Sequence, residues 1–301
     1  MYSIVLSFFT SFFITFMAIP SIKRVATVKH LYDEPGGRKS HTSRIPTLGG
    51  VAIFAGLIFS FTFFSAEIVY HSRQYIVSAI LILFFIGIKD DIIPIPAFKK
   101  LIGQFIAAAI IAVSGGIRIT SMHNLLGIHA VSYPVSILIT IFTIIVIINS
   151  FNLIDGIDGL AAGIGVIVAG VFGFIFLYYG EMTMALTILA FSLVGALLGF
   201  LYYNFSPARI FMGDTGSLVI GLVISVLAIN VIELKSNMNG VSSNSVIVSG
   251  PAFVVTVLII PLFDTLRVFC IRLINKKSPF SADRNHILIG INIDLYTYYG
   301  H

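Results

Sequence analysis

Two carboxylates and two asparagines break an otherwise apolar tract in Asn149-Ser-Phe-Asn-Leu-Ile-Asp-Gly-Ile-Asp-Gly-Leu-Ala-Ala-Gly163. Asp155 and Asp158 stand three apart, and each is followed by glycine. In a first helical turn they share a face, while Gly156 and Gly159 let a ligand approach the backbone. An acid pair in a membrane protein could mark an ion pathway. At a helix end among glycines it suits a water-soluble ligand better than conduction.

Other junctions carry similar chemistry. Asp90 and Asp91 close an apolar run, where adjacent carboxylates repel each other and oppose the helix dipole. They are either solvated loop residues beside Lys89 or a metal or phosphate site served by Lys100. In Gly213-Asp-Thr-Gly-Ser217, Asp214 either complements a helix N-terminus or joins the other carboxylates. Asp33-Glu-Pro-Gly-Gly-Arg-Lys-Ser-His41 places Arg38, Lys39 and His41 beside a flexible turn, as membrane-surface cations or as contacts to an anion. Asp264 with Arg267 reads as a helix ion pair or as the deepest intramembrane acid.

The elements that must position these residues are membrane helices. With 301 residues, 57% of them apolar and only 10% charged, the chain cannot cover its apolar surface in water. Apolar runs fall at Tyr2 to Pro20, Leu48 to Ala66, Tyr75 to Ile88, Leu101 to Val113, Tyr133 to Ile148, Leu160 to Tyr179, Met182 to Leu201, Leu218 to Ile232 and Pro251 to Val268. They predict an all-α polytopic membrane protein with about nine transmembrane helices in a single domain, 1–301. The runs at Tyr75 and Leu101 are short and need polar flanks or tilt. The first run has no basic segment before it and no cleavage site, so it reads as a retained helix.

Charge gives the orientation. Of 18 Lys and Arg residues, all but Arg73, Arg118 and Lys235 fall in alternate loops on one side. That side is expected to be cytoplasmic, which puts the N-terminus outside and the C-terminus inside. The cytoplasmic loops then cover about 22–47, 89–100, 149–159, 202–217 and 269–301. The basic balance is thus a feature of the bilayer surface and excludes nucleic acid as a partner. Of the 13 acidic residues, only Glu67, Glu181 and Glu233 fall outside. The inner set is rich in Asp, whose oxygens suit a hard cation, and no His or Cys pair has zinc-site spacing. Carboxylates mixed with Lys and Arg at a membrane surface point to magnesium-dependent chemistry on a phosphate whose other end is a lipid. Cys270 has no partner for an intrachain disulfide. The outer loops hold no cluster and are assigned no chemistry. A transporter would instead place charge at span centres and show inverted repeats, and the sequence has neither.

Taken in order, Asp33-x-Pro-Gly-x-Arg-Lys-x-His41 with Pro46 and Gly49-Gly50, Asp90-Asp91 with Lys100, Asn152-Leu-Ile-Asp-Gly-Ile-Asp-Gly-Leu160, Asn204 with Gly213-Asp-Thr-Gly-Ser217, and Ser281-Ala-Asp-Arg-Asn-His286 resemble the polyprenyl-phosphate N-acetylhexosamine-1-phosphate transferase family, glycosyltransferase family 4. The form of the last motif resembles the undecaprenyl-phosphate GlcNAc-1-phosphate transferase branch, which starts O-antigen, enterobacterial common antigen or teichoic acid linkage. The resemblance implies transfer of a sugar 1-phosphate from a UDP-N-acetylhexosamine, expected to be UDP-GlcNAc, to undecaprenyl phosphate, with release of UMP. The reaction is expected on the cytoplasmic face of the bacterial inner membrane.

The residue roles come from the same resemblance. Asp158 and Asp214 are the expected ligands of Mg2+, with Mn2+ as an alternative, and Lys100 holds the diphosphate. Asn152, Asp155 and Asn204 line the nucleotide site. Asp90 and Asp91 face the lipid phosphate and, with Asp155, form the expected catalytic carboxylates. Lys39, His41, Arg284 and His286 are expected to bind substrate. Direct attack by the lipid phosphate is preferred to a covalent enzyme intermediate, because that nucleophile is already ionised at neutral pH. The resemblance leaves a homodimer open.

One departure stands out. The family pattern continues as His-Ile-His-His, whereas here His286-Ile287 is followed by Leu288 and a tail ending at His301. Two expected histidines are absent, and so are the C-terminal helices. The expectation is a frameshift or truncation after Ile287 that weakens the site. An inactive relative binding lipid phosphate is therefore the rival reading, beside a polytopic transporter.

Overall fold

The computed structural model describes residues 1–33, 45–125, 128–234 and 249–274. These form helices and two antiparallel strand pairs, joined by turns and loops. Helix α1 is Tyr2–Val28, α2 Gly49–Phe64, α3 Arg73–Ile92, and α4 Ala97–Ala109, which runs on into a π turn at Ile110–Ser114. There follow α5 Tyr133–Ile154, α6 Leu160–Tyr179, α7 Met184–Asn204, α8 Gly213–Glu233, α9 Gly250–Val257 and α10 Ile259–Ile274. Strand β1 (Tyr32–Asp33) pairs with β2 (Ile45–Pro46), and β3 (Ser121–Leu125) pairs with β4 (Ile128–Ala130).

Each of the nine apolar runs lies on helix, and the protein is an all-α membrane protein. By length and composition, five helical stretches can cross a bilayer, or six if α9 and α10 count as one broken span; one of the five is the 45-residue stretch containing α6 and α7. The last expected run is not one straight helix, because α9 and α10 meet at 76°. Pro261 explains the break: it has no N–H to donate to the carbonyl of Val257 one turn earlier. At the other end of the chain, α1 continues through Pro20 to Val28.

Helix α8 is the hub. Its sequence is apolar on every side, so no stripe of it calls for solvent or lipid, and 94% of its apolar window is buried. It packs against α2, α3, α5 and α6. The approach at its first turn is close enough to exclude side chains, since a Cβ on Gly216 would lie 3.0 Å from Gly50 Cα. The backbone of α2 therefore rests directly on the N-terminus of α8.

Candidate active site

The N-terminus of this buried hub collects polar side chains from three neighbouring helices. Lys100 of α4 places Nζ 2.7 Å from Asp90 Oδ2 and 2.5 Å from Asp214 Oδ2. Asn152 of α5 donates from Nδ2 to the other Asp214 oxygen and to Ser217 Oγ, the latter at 2.9 Å. Asp214 is thus gripped from both sides. Asp90 accepts a further bond from the Ile95 N–H at 2.6 Å, which ties it to the turn leaving α3.

Asp91 points the other way and caps α8 from outside. Its Oδ1 accepts the Asp214 N–H at 2.7 Å, and its Oδ2 accepts the Thr215 N–H at 3.1 Å and the Thr215 hydroxyl at 2.5 Å. Two donors left unpaired at any helix start are so satisfied by a carboxylate that also complements the dipole. Gly213 makes this possible. Its φ is +72°, and a Cβ there would lie 2.6 Å from Asp91 Oδ1.

Asp155 lies just past the end of α5, near the backbone N–H of Gly213. Loss of hydration, then the negative charges of Asp214 and Asp91, hold its carboxyl well above the usual carboxylate range. Asp90 and Asp214 therefore meet at Lys100, with the charges of Asp91 and Asp155 close to Asp214.

The remaining motif residues brace two chain turns. Buried Asn204 accepts the Gly159 N–H with Oδ1 and donates from Nδ2 to the Ile210 carbonyl, both at 2.9 Å. Asp158, expected beside Asp214 as a metal ligand, accepts the Ala208 N–H with Oδ2 at 3.0 Å. Backbone bonds complete the brace. Phe211 donates to Pro46 O at 2.9 Å, while Gly49 and Gly50 donate to Phe211 O and Met212 O at 2.9 and 2.8 Å. Pro46 and Gly49-Gly50 thus fix the segment that delivers Asp214.

The structure brings together Asp90, Asp91, Lys100, Asn152, Asp155 and Asp214, and it sets Asp158 and Asn204 on the adjoining brace. Lys39, His41, Arg284 and His286, and the whole altered tail, lie outside the described residues. Ser217 and Thr215 were passed over in the sequence, although their positions in the first turn of an Asp-bearing helix were the available signal. Gln104 was passed over too, although it lies one turn beyond Lys100.

Known proteins share this stretch of sequence. The sequence model of glycosyl transferase family 4 matches residues 73–232, which hold all six clustered residues. A probable undecaprenyl-phosphate N-acetylglucosaminyl 1-phosphate transferase of Bacillus subtilis (strain 168) is 33% identical over 295 residues, covering 95% of this chain and 76% of that protein. The undecaprenyl-phosphate alpha-N-acetylglucosaminyl 1-phosphate transferase of Yersinia pestis is 31% identical, covering 91% of this chain and 73% of its own length. The protein of that name from Escherichia coli (strain K12) is 30% identical, covering 93% and 72%. With more than half the chain inside the family match, and relatives this similar covered over most of their length, the chain belongs to glycosyl transferase family 4.

Proposed function

We propose that the protein transfers GlcNAc 1-phosphate from UDP-GlcNAc to undecaprenyl phosphate, releasing UMP, as the first membrane step of a cell-surface glycan. The observation that carries this reading is the grip on Asp214 by Lys100 and Asn152 at the buried start of α8. Its support is the names borne by the relatives. The face that bears the site is proposed to be cytoplasmic in the bacterial inner membrane, on the strength of the charge asymmetry.

In the proposed step an oxygen of the lipid phosphate attacks the donor phosphorus that carries the sugar. A new P–O bond forms as the bond to the UMP oxygen breaks, and the electron pair leaves with UMP. No proton need move, so the protein's task is alignment and charge neutralisation. Lys100 is placed to leave one of its two carboxylates for the diphosphate. Asn152 keeps Asp214 oriented while this happens, and Asp91 holds the α8 start rigid. Asp90, at the end of α3, is assigned to the side where the lipid phosphate enters. Lys39, His41, Arg284 and His286 are proposed as further phosphate contacts.

Magnesium, or manganese, fits the donors present. Among the described residues no three His, Cys, Asp or Glu side chains converge to hold a metal unaided. Mg2+ commonly takes one or two carboxylates and fills its remaining positions with water and substrate phosphate. Asp214, with Asp158 as the second candidate, would hold it, and gathered carboxyl groups supply the negative charge that it offsets. When bound, it would supply charge stabilisation on the transferring phosphoryl oxygens.

The test is a donor panel with purified protein in detergent, undecaprenyl phosphate and Mg2+, scored by UMP release. UDP-GlcNAc is expected to be used in preference to UDP-GalNAc, a diamino-sugar donor and the MurNAc-pentapeptide donor. Turnover with the last alone would overturn the assignment, and no turnover with any donor would overturn the reaction itself.

A further inference from the structure

Below the charged centre lies a second polar contact between the same two helices. Gln104, 1% exposed, donates from Nε2 to Asn149 Oδ1 at 3.4 Å and accepts from Asn149 Nδ2 at 2.8 Å; the same Nδ2 also donates to the Ile145 carbonyl at 2.8 Å. Gln104 is four residues beyond Lys100 on α4, so the two share a face one turn apart. Asn149 is three residues before Asn152 on α5, and these also share a face. The helices are therefore joined by two rungs. One is the amide pair; the other runs from Lys100 through Asp214 to Asn152.

The two rungs differ in how they behave during turnover. The upper one is made of the groups proposed to meet substrate, and Lys100 must loosen its hold on Asp90 or Asp214 to reach a phosphate. When Asp214 is the carboxylate released, the upper rung no longer fixes the spacing of α4 and α5. The amide pair has no hydrogen bond to the groups proposed to react, and Gln104 is buried, so sliding either helix would leave a buried amide without its partner. It is also reciprocal, so it fixes axial register as well as distance.

We propose that Gln104 and Asn149 are positioning residues, which hold Lys100 and Asn152 in register on either side of Asp214 while Lys100 is engaged with the diphosphate. This rests on the functional reading above. The pair is expected to act on the rate of the chemical step and not on donor binding, because the loss of register matters most when Lys100 leaves its carboxylate.

The experiment compares wild type with Gln104→Leu, Asn149→Leu, the double leucine variant, and the exchanged pair Gln104→Asn with Asn149→Gln. UMP release is measured against UDP-GlcNAc concentration, with thermal melting in detergent as a check on folding. Each single leucine variant is expected to lose about 10-fold in kcat with KM within about twofold, a size usual for groups that orient a site residue. The double variant is expected to be no worse than the singles, since each already breaks the rung. The exchanged pair is expected to recover at least about half of wild-type kcat. Wild-type kcat in folded single variants, losses that multiply, or a change confined to KM would overturn the proposal. If leucine variants do not fold, Gln104→Asn alone is compared with the exchanged pair, and failure of the pair to outperform it overturns the proposal. A wild-type protein without turnover overturns the functional reading and this one with it, whereas an active wild type with unaffected variants removes this one alone.

Discussion

Helix α8 carries an acid near each end, and the two are treated in opposite ways. Asp214, its second residue, stands where a carboxylate complements the helix dipole. Even so, it is set beside Asp90, Asp91 and Asp155 and leans on Lys100. Glu233, its last residue, stands where the dipole disfavours a carboxylate, yet neutral donors clasp it. The Thr120 N–H reaches Oε1 at 2.8 Å and the Thr120 hydroxyl reaches Oε2 at 2.5 Å. A carboxylate that serves structure is finished by neutral hydrogen bonds. The one proposed to serve chemistry is left among like charges, which a substrate and the proposed cation would relieve. Position on a helix does not separate the two cases; the company each acid keeps does.

The contrast predicts effects of different size and kind. Asp214→Asn keeps the shape but removes the charge, and UMP release is expected to fall by about 10²-fold to 10³-fold, the order seen when one preorganised electrostatic group is lost, because the amide would hold the proposed cation poorly. Retention of near wild-type turnover would erase the distinction between the two ends. Glu233→Gln is expected to leave turnover within about threefold while lowering stability by about 1–3 kcal/mol, since one Thr120 donor then faces an amide N–H. Thermal melting beside the UMP assay separates these, and a large loss of turnover in folded protein would show that the far end also governs chemistry.

The smallest effect concerns pH. Because the Asp155 carboxyl is held above its unfolded value, folding keeps its proton on. Stability is then fullest below the ordinary carboxylate range and declines as pH rises through the raised value. Asp155→Asn removes that decline. The variant is expected to match wild type near pH 3 and to gain on it progressively as pH rises, melting higher than wild type near pH 9, in the absence of added divalent cation. Parallel melting curves for the two proteins across that range would show that Asp155 is ionised throughout.

Much of the centre was legible because polar residues are rare in this chain. Asp90, Asp91, Lys100, Asn152, Asp155 and Asp214 each interrupt or end an apolar run, and the bilayer forces such residues together at one level. What the sequence hid was the division of labour among them. Asp91 serves backbone N–H groups of α8, and Asn204 and Asp158 serve those of Gly159 and Ala208. Backbone donors carry no sequence signature, so an Asp that caps and an Asp that faces substrate look alike. Gln104 and Asn149 were hidden for a different reason, since two amides separated by 45 residues announce no pairing. The clasp of Glu233 by Thr120 was missed because outer loops with few charges gave no reason to look there. The 76° bend between α9 and α10 was legible in principle from Pro261, but the apolar run read straight through it.

The cap on α8 has a kinetic side. Asp91 and Thr215 are 124 residues apart in sequence, and Lys100 and Asp214 are 114 apart. Contacts across such separations close slowly, because the chain between them must be ordered first. The first turn of the central helix is therefore completed only when α3 has docked, and the charged centre with it. A newly inserted chain is expected to hold most of its helices before it holds the charged centre, so the proposed activity is expected to come last as the protein folds.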